Sequence, residues 1–199
     1  MGKSVTLILR DSEVPEITTD LIGVDAGAAY ALRHHLKMIC ACGDFDSIDE
    51  ATLALVKLNT TVYQYPIHKD QPDSQLAIEK ALEMGYEEIF IYGALGGRYD
   101  HHQANLVLAY LHGEVTILDH DHWIKSFGVG RHLIKKGSHE KLSVFTMETC
   151  ELSLSNVEYP LDHYDYNVKS ILGLSNTFLG DEAVLTVHRG RVLIFCGKA

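Results

Sequence analysis

Cysteine, proline and tryptophan are scarce in this chain of 199 residues, which contains 4, 4 and 1 of them. The cysteines (Cys40, Cys42, Cys150 and Cys196) form no C-x-x-C pair, which excludes the paired-cysteine zinc sites, and we expect reduced, mostly buried thiols in a cytoplasmic protein. No apolar run approaches the roughly 20 residues that a membrane-spanning helix requires, so no membrane partner is expected. The net charge of -10 argues against nucleic acid as a partner, because phosphate backbones bind to basic surfaces.

Strand-like and helix-like segments alternate regularly in the first part of the chain. Short apolar runs predict strands at Val5–Leu9, Leu21–Val24, Met38–Cys42, Thr61–Tyr65, Glu88–Tyr92 and Val115–Leu118. Helical spacing of apolar residues predicts helices at Ala26–Leu36, 47–58, 72–85 and Asp100–His112. We expect Ser47 and Glu50 to begin the second helix as a capping box. This alternation predicts an α/β fold with a parallel sheet.

The pattern changes after residue 122, where the segments become short, strand-like and separated by turn signals. They lie at Trp123–Phe127, His132–Ile134, Leu142–Thr146, Glu151–Leu154, Ser170–Leu172, Ala183–Val187 and Val192–Cys196. Arg189-Gly190 resembles the turn of a terminal hairpin. We therefore predict a parallel α/β domain over residues 1–122 and a smaller all-β sandwich or barrel over residues 123–199.

Acidic clusters follow four of the predicted strands in the first half. The carboxyl ends of parallel strands share one edge of a sheet, where ligands bind, and carboxylates gathered there repel one another unless a cation lies among them. Asp44 and Asp46 are two residues apart on extended backbone, so both can reach one cation. We interpret them as ligands of a divalent metal such as magnesium, with helix capping by Asp46 as the alternative.

A second cluster, Lys69-Asp70-Gln71-Pro72-Asp73, lies just before a predicted helix. Asp70 and Asp73 either bind metal or accept hydrogen bonds from the unpaired N–H groups of the helix start. A lysine beside a helix N-terminus, as Lys69 is, is typical of a phosphate site. This mixture of charges favours a metal together with a polyphosphate.

The most informative single motif is Gly93-Ala94-Leu95-Gly96-Gly97-Arg98, which is followed by Asp100 and His101. Paired glycines let backbone N–H groups approach a ligand closely, and Arg98 has two donors for phosphate oxygens. The motif is not a P-loop, because the chain contains no G-x-x-x-x-G-K-[ST] sequence. Asp100 is a further candidate for binding metal or accepting a proton.

In order and spacing, these motifs resemble those of the thiamine pyrophosphokinase family. The resemblance rests on Asp25-Ala26-Gly27-Ala28, Gly43-Asp44-Phe45-Asp46-Ser47, Lys69-Asp70-x-x-Asp73, Gly96-Gly97-Arg98-x-Asp100-His101, Tyr159-Pro160-Leu161 and Gly173-Leu174-Ser175-Asn176. It implies an α/β nucleotide-binding domain, a β-sandwich that binds thiamine, and a homodimer with active sites between subunits. The chain departs from the family pattern at Ala26, Pro72 and Thr177, and none of these departures removes a carboxylate.

The resemblance also implies a role for each motif residue, with ATP as co-substrate and Mg2+ as cofactor. The expected catalytic residues are Asp44, Asp46, Asp70, Asp73, Asp100 and Arg98, of which the first four hold the metal. The residues expected to contact ATP are Asp25, Gly27, Lys69, Gly96, Gly97, Arg98 and His101. Ser175 and Asn176 are expected to bind thiamine. Two alternatives remain open: a metal-dependent phosphoesterase, suggested by Asp100-His101-His102, and a non-catalytic sensor of thiamine or nucleotide.

Overall fold

The computed structural model describes residues 2–198 and has the α/β fold class that the sequence predicts. Its first part contains β1 (Ser4–Ile8), β2 (Asp20–Val24), α1 (Ala26–Arg33), β3 (Cys40–Gly43), α2 (Glu50–Asn59), β4 (Thr61–Gln64), α3 (Asp73–Glu83), β5 (Glu88–Tyr92), α4 (Tyr99–Leu111) and β6 (Val115–Leu118). Its second part contains β7 (His122–Phe127), β8 (Gly130–Lys135), β9 (Lys141–Phe145), β10 (Cys150–Ser155), β11 (Leu161–Tyr166), β12 (Asn176–Thr177), β13 (Glu182–Arg189) and β14 (Val192–Gly197).

The chain divides into two compact units. The first comprises the chain up to Asn105 together with Ile117–His120, and the second comprises Leu106–Thr116 together with the chain from Asp121 onward. The second half of α4 therefore belongs to the second unit, and β6 contributes residues to both. The domain boundary after residue 122 stays a prediction.

The first unit is built on parallel strands in the order β5-β1-β2-β3-β4. The chain places β2, β3 and β4 on one side of β1 and then returns to the other side with β5. Open α/β sheets bind ligands beyond the carboxyl ends of the strands at such a reversal of order. Leu7 at the centre of β1 is fully buried and pairs with Ile22 and Ile91. The core thus fixes the positions of the loops that follow β1, β2, β3 and β5.

Helix α1 lies very close to the strands beneath it. A Cβ atom built on Gly27 would lie 1.8 Å from the carbonyl oxygen of Ile8, and one built on Gly23 would lie 2.6 Å from the Cα atom of Ala28. Backbone occupies both positions, so neither can yield to a side chain. Glycine at these two positions is therefore required for the packing of α1 on β1 and β2.

The start of α2 differs from the prediction. Its N-cap is Asp49, whose carboxylate accepts the N–H and the hydroxyl of Thr52, each at 2.8 Å. The helix begins at Glu50, so Ser47 lies outside it and the predicted capping box is wrong. An aspartate satisfies the free N–H groups of a helix start as well as a serine does, and the sequence offers both.

The second unit contains two antiparallel layers, as predicted for this half of the chain. One layer has the strand order β12-β9-β14-β7 and the other has the order β11-β10-β13-β8. Buried side chains from both layers form one core, in which Leu142 and Ile194 of the first layer join Leu152 and Leu185 of the second. The alternation of buried and exposed residues along these strands supplies that core.

Three local predictions for the second unit are wrong. Residues 170–172 form no strand, and β11 was missed because residues 162–165 are exposed and show no apolar alternation. Arg189-Gly190 is not the turn of a hairpin, because β13 pairs with β10 and β8 whereas β14 pairs with β7 and β9. With a φ of 79°, Gly190 instead passes the chain from one layer to the other.

All four cysteines are buried and free, as expected. They lie in β3, β10 and β14, where they act as small apolar side chains. Across residues 2–198, none of the helices is both long and apolar enough to span a membrane.

Candidate active site

Three carboxylates converge at the carboxyl edge of the parallel sheet. Asp25 directly follows β2, Asp44 directly follows β3, and Asp73 is the first residue of α3. One carboxylate oxygen from each lies within 4.8 Å of those of the other two. We call Asp25, Asp44 and Asp73 the acidic triad. Its members are half-buried, so water screens their mutual repulsion only in part.

A strained backbone holds Asp25 in place. Its φ of 54° and ψ of -123° lie outside the regions that residues other than glycine prefer. Its N–H donates to the carbonyl of Cys42 at 2.9 Å, and its Oδ1 accepts the N–H of Phe45 at 2.8 Å. Phe45 is buried and also has a positive φ, of 60°. The loops after β2 and β3 are thus tied together, which is the type of strain that concentrates at functional sites.

Lys69 is the cation that contacts the acidic triad. Its Nζ donates to Oδ2 of Asp44 at 2.6 Å and lies 3.2 Å from Oδ1 of Asp73. Burial is the largest single effect on Lys69 and Asp44 and opposes the charged form of each. The hydrogen bonds and opposite charges around them together outweigh it, so the pKa of Asp44 is lowered and the pKa of Lys69 is raised. Lys69 therefore offsets one of the three negative charges.

The pKa of Asp25, unlike that of Asp44, is raised. Burial disfavours its carboxylate, the charges of Asp73 and Asp44 add to this effect, and the hydrogen bond from Phe45 opposes it. Together these effects raise the pKa of Asp25 from 3.8 to about 6. A carboxyl group perturbed in this way beside other titratable groups is characteristic of functional sites.

The acidic triad fits a divalent metal of the magnesium type. Its oxygens come from three different elements, lie close enough to share one ion, and are the hard ligands that Mg2+ binds. A cation among them would also offset the negative charge that raises the pKa of Asp25. Between residues 2 and 198, no other group of three His, Cys, Asp or Glu residues comes as close.

Asp46 and Asp70, two of the four predicted metal ligands, lie outside the acidic triad. Both are exposed, and the N–H of Asp46 donates to Oδ1 of Asp44 at 3.2 Å. Metal binding by Asp46 and Asp70 stays a prediction. The family resemblance implies that Asp25 contacts ATP, and the structure places its carboxylate beside those of Asp44 and Asp73. Asp25 follows β2 as Asp44 follows β3, and this equivalent position is the sequence signal for their meeting.

The glycine-rich turn between β5 and α4 presents its backbone at the same edge. Gly96 and Gly97 are exposed and have φ angles of 73° and 65°. The N–H of Gly96 donates to Nδ1 of His102 at 3.0 Å, a contact that the sequence did not indicate. Arg98 donates to both oxygens of Asp100, at 3.2 and 2.6 Å, and this pairing lowers the pKa of Asp100 to about 2. The guanidinium of Arg98 is thus already engaged by a carboxylate.

A cavity of about 310 Å³ joins these features. The residues that line it include Arg10, Asp25, Asp73, Gly93, Gly96, Gly97, Arg98, His101 and Asn105. Gly27 and Lys69, which were predicted to contact ATP, are not in its lining: Gly27 packs on Ile8 and Lys69 contacts the acidic triad. Sequence reasoning missed Arg10, because a single arginine outside any motif carries no signal.

The two residues predicted to bind thiamine lie in the second unit. Ser175 is exposed and lines a cavity of about 450 Å³ together with Phe145 and Phe195. Asn176 is only 4% exposed, and its amide donates to the carbonyl of Tyr159 at 2.8 Å and accepts the N–H of the same residue at 3.0 Å. The side chain of Asn176 therefore holds the segment at Tyr159 in place, and Ser175 is the one of the two that lines the cavity.

Two family models match the chain, and together they cover most of its length. The model described as thiamin pyrophosphokinase, catalytic domain, matches residues 16–118, and the model described as thiamin pyrophosphokinase, vitamin B1 binding domain, matches residues 131–192. This chain belongs to the thiamine pyrophosphokinase family. The resemblance inferred from the motifs is thereby confirmed.

Individual members of the thiamine pyrophosphokinase family resemble the chain over almost its whole length. Thiamine pyrophosphokinase of Bacillus subtilis (strain 168) is 29% identical over 195 residues, which cover 91% of each chain. The crystal structure of a thiamin pyrophosphokinase family protein from Enterococcus faecalis has a TM-score of 0.90 at 27% identity and covers 99% of both chains. That of thiamine pyrophosphokinase from Bacillus subtilis has a TM-score of 0.86 at 27% identity, covering 99% of this chain and 100% of the other. Membership of this enzyme family favours a pyrophosphokinase over the phosphoesterase and the sensor.

Proposed function

We propose that this protein transfers the pyrophosphoryl group of ATP to the hydroxyethyl oxygen of thiamine, giving thiamine diphosphate and AMP. The observation that carries the proposal is the acidic triad, which lies at the ligand-binding edge of the sheet in a chain that belongs to the thiamine pyrophosphokinase family. Transfer of this kind depends mainly on in-line positioning and on neutralising the charge of the moving group. The residues of the site supply groups that can position the reactants and groups that can neutralise charge.

Asp25, Asp44 and Asp73 are the residues that would hold Mg2+ in this enzyme. When bound there, the metal supplies positive charge that neutralises phosphate oxygens and orients them for displacement. Lys69 would hold the carboxylates of Asp44 and Asp73 in place, because its Nζ contacts both. Asp46 and Asp70, which are exposed and outside the acidic triad, would act on the metal through water or by direct binding.

The proton of the attacking hydroxyl group needs a carboxylate of ordinary or raised pKa. Asp100 does not meet this need, because its pairing with Arg98 lowers its pKa to about 2 and makes it a weak base. We therefore assign Asp100 the role of orienting Arg98 and assign proton acceptance to a member of the acidic triad. His101 lines the cavity and completes the side that would face the nucleotide.

Thiamine would be recognised by the second unit. Phe145 and Phe195 form an edge-to-face pair with ring centres 5.3 Å apart in the cavity that Ser175 lines. Aromatic walls suit a flat heterocycle, and a serine hydroxyl can hydrogen-bond its amino group. The role of Asn176 in this proposal is to position the segment at Tyr159 rather than to contact thiamine.

We further propose a homodimer with active sites between subunits, as the family resemblance implies, in the cytoplasm, as the expected reduced cysteines indicate. Its support is a set of large apolar side chains that are 56 to 73% exposed in one stretch of the second unit. They are Tyr159, Val168, Ile171, Leu172, Leu174 and Leu179. Exposed apolar side chains at such density mark an interaction surface.

A product assay tests the proposed reaction. Purified protein incubated with ATP, Mg2+ and thiamine is expected to form thiamine diphosphate and AMP in equal amounts. Formation of ADP and thiamine monophosphate would show that a single phosphoryl group is transferred instead. Hydrolysis of a phosphodiester without any acceptor would identify a phosphoesterase, and binding of both ligands without turnover would identify a sensor.

Asp44→Asn supplies the matched test of the metal-binding site. The loss of one charged ligand is expected to reduce kcat/KM by about a hundredfold or more, as removal of a strong transition-state interaction does. Asp165→Asn, at an exposed carboxylate of β11 that pairs with Arg189, is the control and should retain parental kinetics. An Asp44→Asn enzyme with parental kinetics at all Mg2+ concentrations would rule out the assignment.

A further inference from the structure

Arg10 lies against the glycine-rich turn between β5 and α4. Its Nε–H donates to the carbonyl of Gly93 at 2.9 Å. A Cβ atom built on Gly96 would lie 2.9 Å from one terminal nitrogen of the guanidinium, and one built on Gly97 would lie 2.9 Å from the other. The guanidinium thus occupies the space that side chains at Gly96 and Gly97 would fill. Arg10 and the turn therefore pack directly against each other.

The two arginines in the lining of the 310 Å³ cavity differ in their partners. Arg98 is 73% exposed and makes two hydrogen bonds to Asp100. Arg10 is half-buried and, over the described range 2–198, takes part in no ion pair. Its one side-chain hydrogen bond uses Nε, so the terminal nitrogens have donors to offer. Arg10 therefore has both terminal nitrogens without a hydrogen-bond partner among the described residues, whereas Asp100 engages one of the two in Arg98.

A half-buried guanidinium without a carboxylate partner loses hydration, which the single hydrogen bond to Gly93 replaces only in part. A phosphate group is the natural replacement, because the planar fork of donors matches two phosphate oxygens. The cavity also presents the exposed backbone of Gly96 and Gly97 and two members of the acidic triad. These are complementary to a phosphate chain whose other oxygens face a metal.

We propose that Arg10 binds the phosphate chain of the nucleotide with its terminal nitrogens, while its Nε–H bond to Gly93 fixes the guanidinium in the cavity. This inference rests on the proposed function and adds to it a phosphate-binding residue outside the family motifs. Arg98, in contrast, acts as a pair with Asp100. A lysine at position 10 would have a single ammonium group for both contacts, whereas the arginine uses Nε for Gly93 and keeps its terminal nitrogens for phosphate.

Arg10→Met and Arg10→Lys test the proposal by calorimetric titration with inorganic tripolyphosphate and with ATP, both in the presence of Mg2+. Loss of a charge-assisted phosphate contact is expected to weaken binding by about tenfold to a hundredfold in Arg10→Met. Arg10→Lys keeps the charge but not the Nε–H bond, so it should recover part of the affinity. Arg131→Met, at an exposed arginine of β8, is the control and should bind both ligands as the parent does.

A purely structural role predicts a different result. If Arg10 only holds the turn, Arg10→Lys will be as weak as Arg10→Met, because both lack the bond to Gly93. That outcome overturns the proposal, as does parental affinity for tripolyphosphate in Arg10→Met. The salt dependence of binding supplies a second readout, since removal of a phosphate contact lowers the slope and a change in turn structure does not.

Chemical protection keeps the proposal testable if Arg10→Met does not fold. Unmodified protein is treated with phenylglyoxal, which reacts with guanidinium groups, with and without tripolyphosphate and Mg2+. Protection of Arg10 but not of Arg131, read by peptide mass spectrometry, is expected; equal reactivity of Arg10 in both samples overturns the proposal. Protection of Arg10 in a protein that makes no thiamine diphosphate would overturn the proposed function alone. Product formation without protection would overturn the role of Arg10 alone.

Discussion

At the scale of the single residue, the charge of Asp25 lowers the free energy of unfolding. Its pKa is about 6 in the folded protein against 3.8 as a free side chain, chiefly because of burial and the neighbouring charge of Asp73. Between these two values the folded state holds more protons than the unfolded state, so the contribution of Asp25 to the free energy of unfolding falls as the pH rises through this window. Well above pH 6 the full cost is present, and a cation bound beside Asp25 would reduce it.

Asp25→Asn should therefore stabilise the metal-free protein while weakening its binding of Mg2+. The amide can still accept the N–H of Phe45, but it bears no charge. Above pH 6 we expect a gain in the free energy of unfolding on the order of 2 kcal/mol, which vanishes below about pH 4. Urea unfolding in EDTA at pH 4 to 8 measures it, with the exposed Asp70→Asn as control. A gain of equal size at every pH would contradict the electrostatic explanation.

At the scale of the element, the glycine-rich turn forms the side of the cavity that we propose binds the nucleotide. Gly97 has a φ of 65° and would place a Cβ atom 2.9 Å from a terminal nitrogen of Arg10. Gly85, which follows α3, has a φ of 80° and no atom within 4 Å of such a Cβ. Both positions therefore have a strained backbone, but only Gly97 contacts Arg10. Comparing them separates the effect of backbone strain from the effect of that contact.

Gly97→Ala and Gly85→Ala should each lower the free energy of unfolding by about 1 kcal/mol, because alanine disfavours a positive φ. Gly97→Ala alone should raise the KM for ATP, by about fivefold or more, since it displaces the guanidinium of Arg10. Thermal unfolding and steady-state kinetics of both variants measure the two effects. Equal KM values for the two variants would show that the contact with Arg10 is unimportant.

Helix α1 is a second element that requires a glycine, because it packs directly against β1 at Gly27. A methyl group on Gly27 would lie 1.8 Å from the backbone of Ile8, so Gly27→Ala must push helix and strand apart. We expect a loss of at least about 3 kcal/mol in the free energy of unfolding, comparable to a severe overpacking mutation. Gly128→Ala, with no atom within 4 Å of the new methyl group, should change it by less than about 1 kcal/mol. A folded Gly27→Ala protein of parental stability would refute this packing argument.

At the scale of the whole molecule, the exposed apolar stretch in the second unit bears on assembly. Ile171 and Leu172 are 73% and 62% exposed, and a dimer interface would bury them. Ile171→Glu combined with Leu172→Glu should weaken self-association by about a hundredfold or more, because unpaired charges are costly to bury. Sedimentation equilibrium measures this. Leu58→Glu, at a leucine 81% exposed on α2, is the control and should leave the mass of the assembly unchanged.

Local sequence patterns predict some parts of the whole fold and not others. The alternation of strands and helices up to Leu118 was predictable, since each element is encoded by its own apolar periodicity. The capping of α2 by Asp49 was not, because several residues near that helix start could satisfy the same N–H groups. The path at Gly190 was not predictable either, since a tight turn has the same local chemistry whether its strands pair or separate into two layers.

The sequence by itself determined the fold class, the family and the kind of chemistry, because ordered acidic and glycine-rich motifs at strand ends depend only on positions along the chain. The tertiary structure alone decided which carboxylates meet: Asp25 joins Asp44 and Asp73, while Asp46 and Asp70 are exposed and lie outside the acidic triad. It also decided that Arg98 is paired and that Arg10 faces the cavity. The physical reason is that β1, β2, β3 and β5 become neighbours only in the folded sheet. The distances between the loops that follow them determine how strongly their charges interact, how far the pKa of Asp25 is raised and how much space a ligand has.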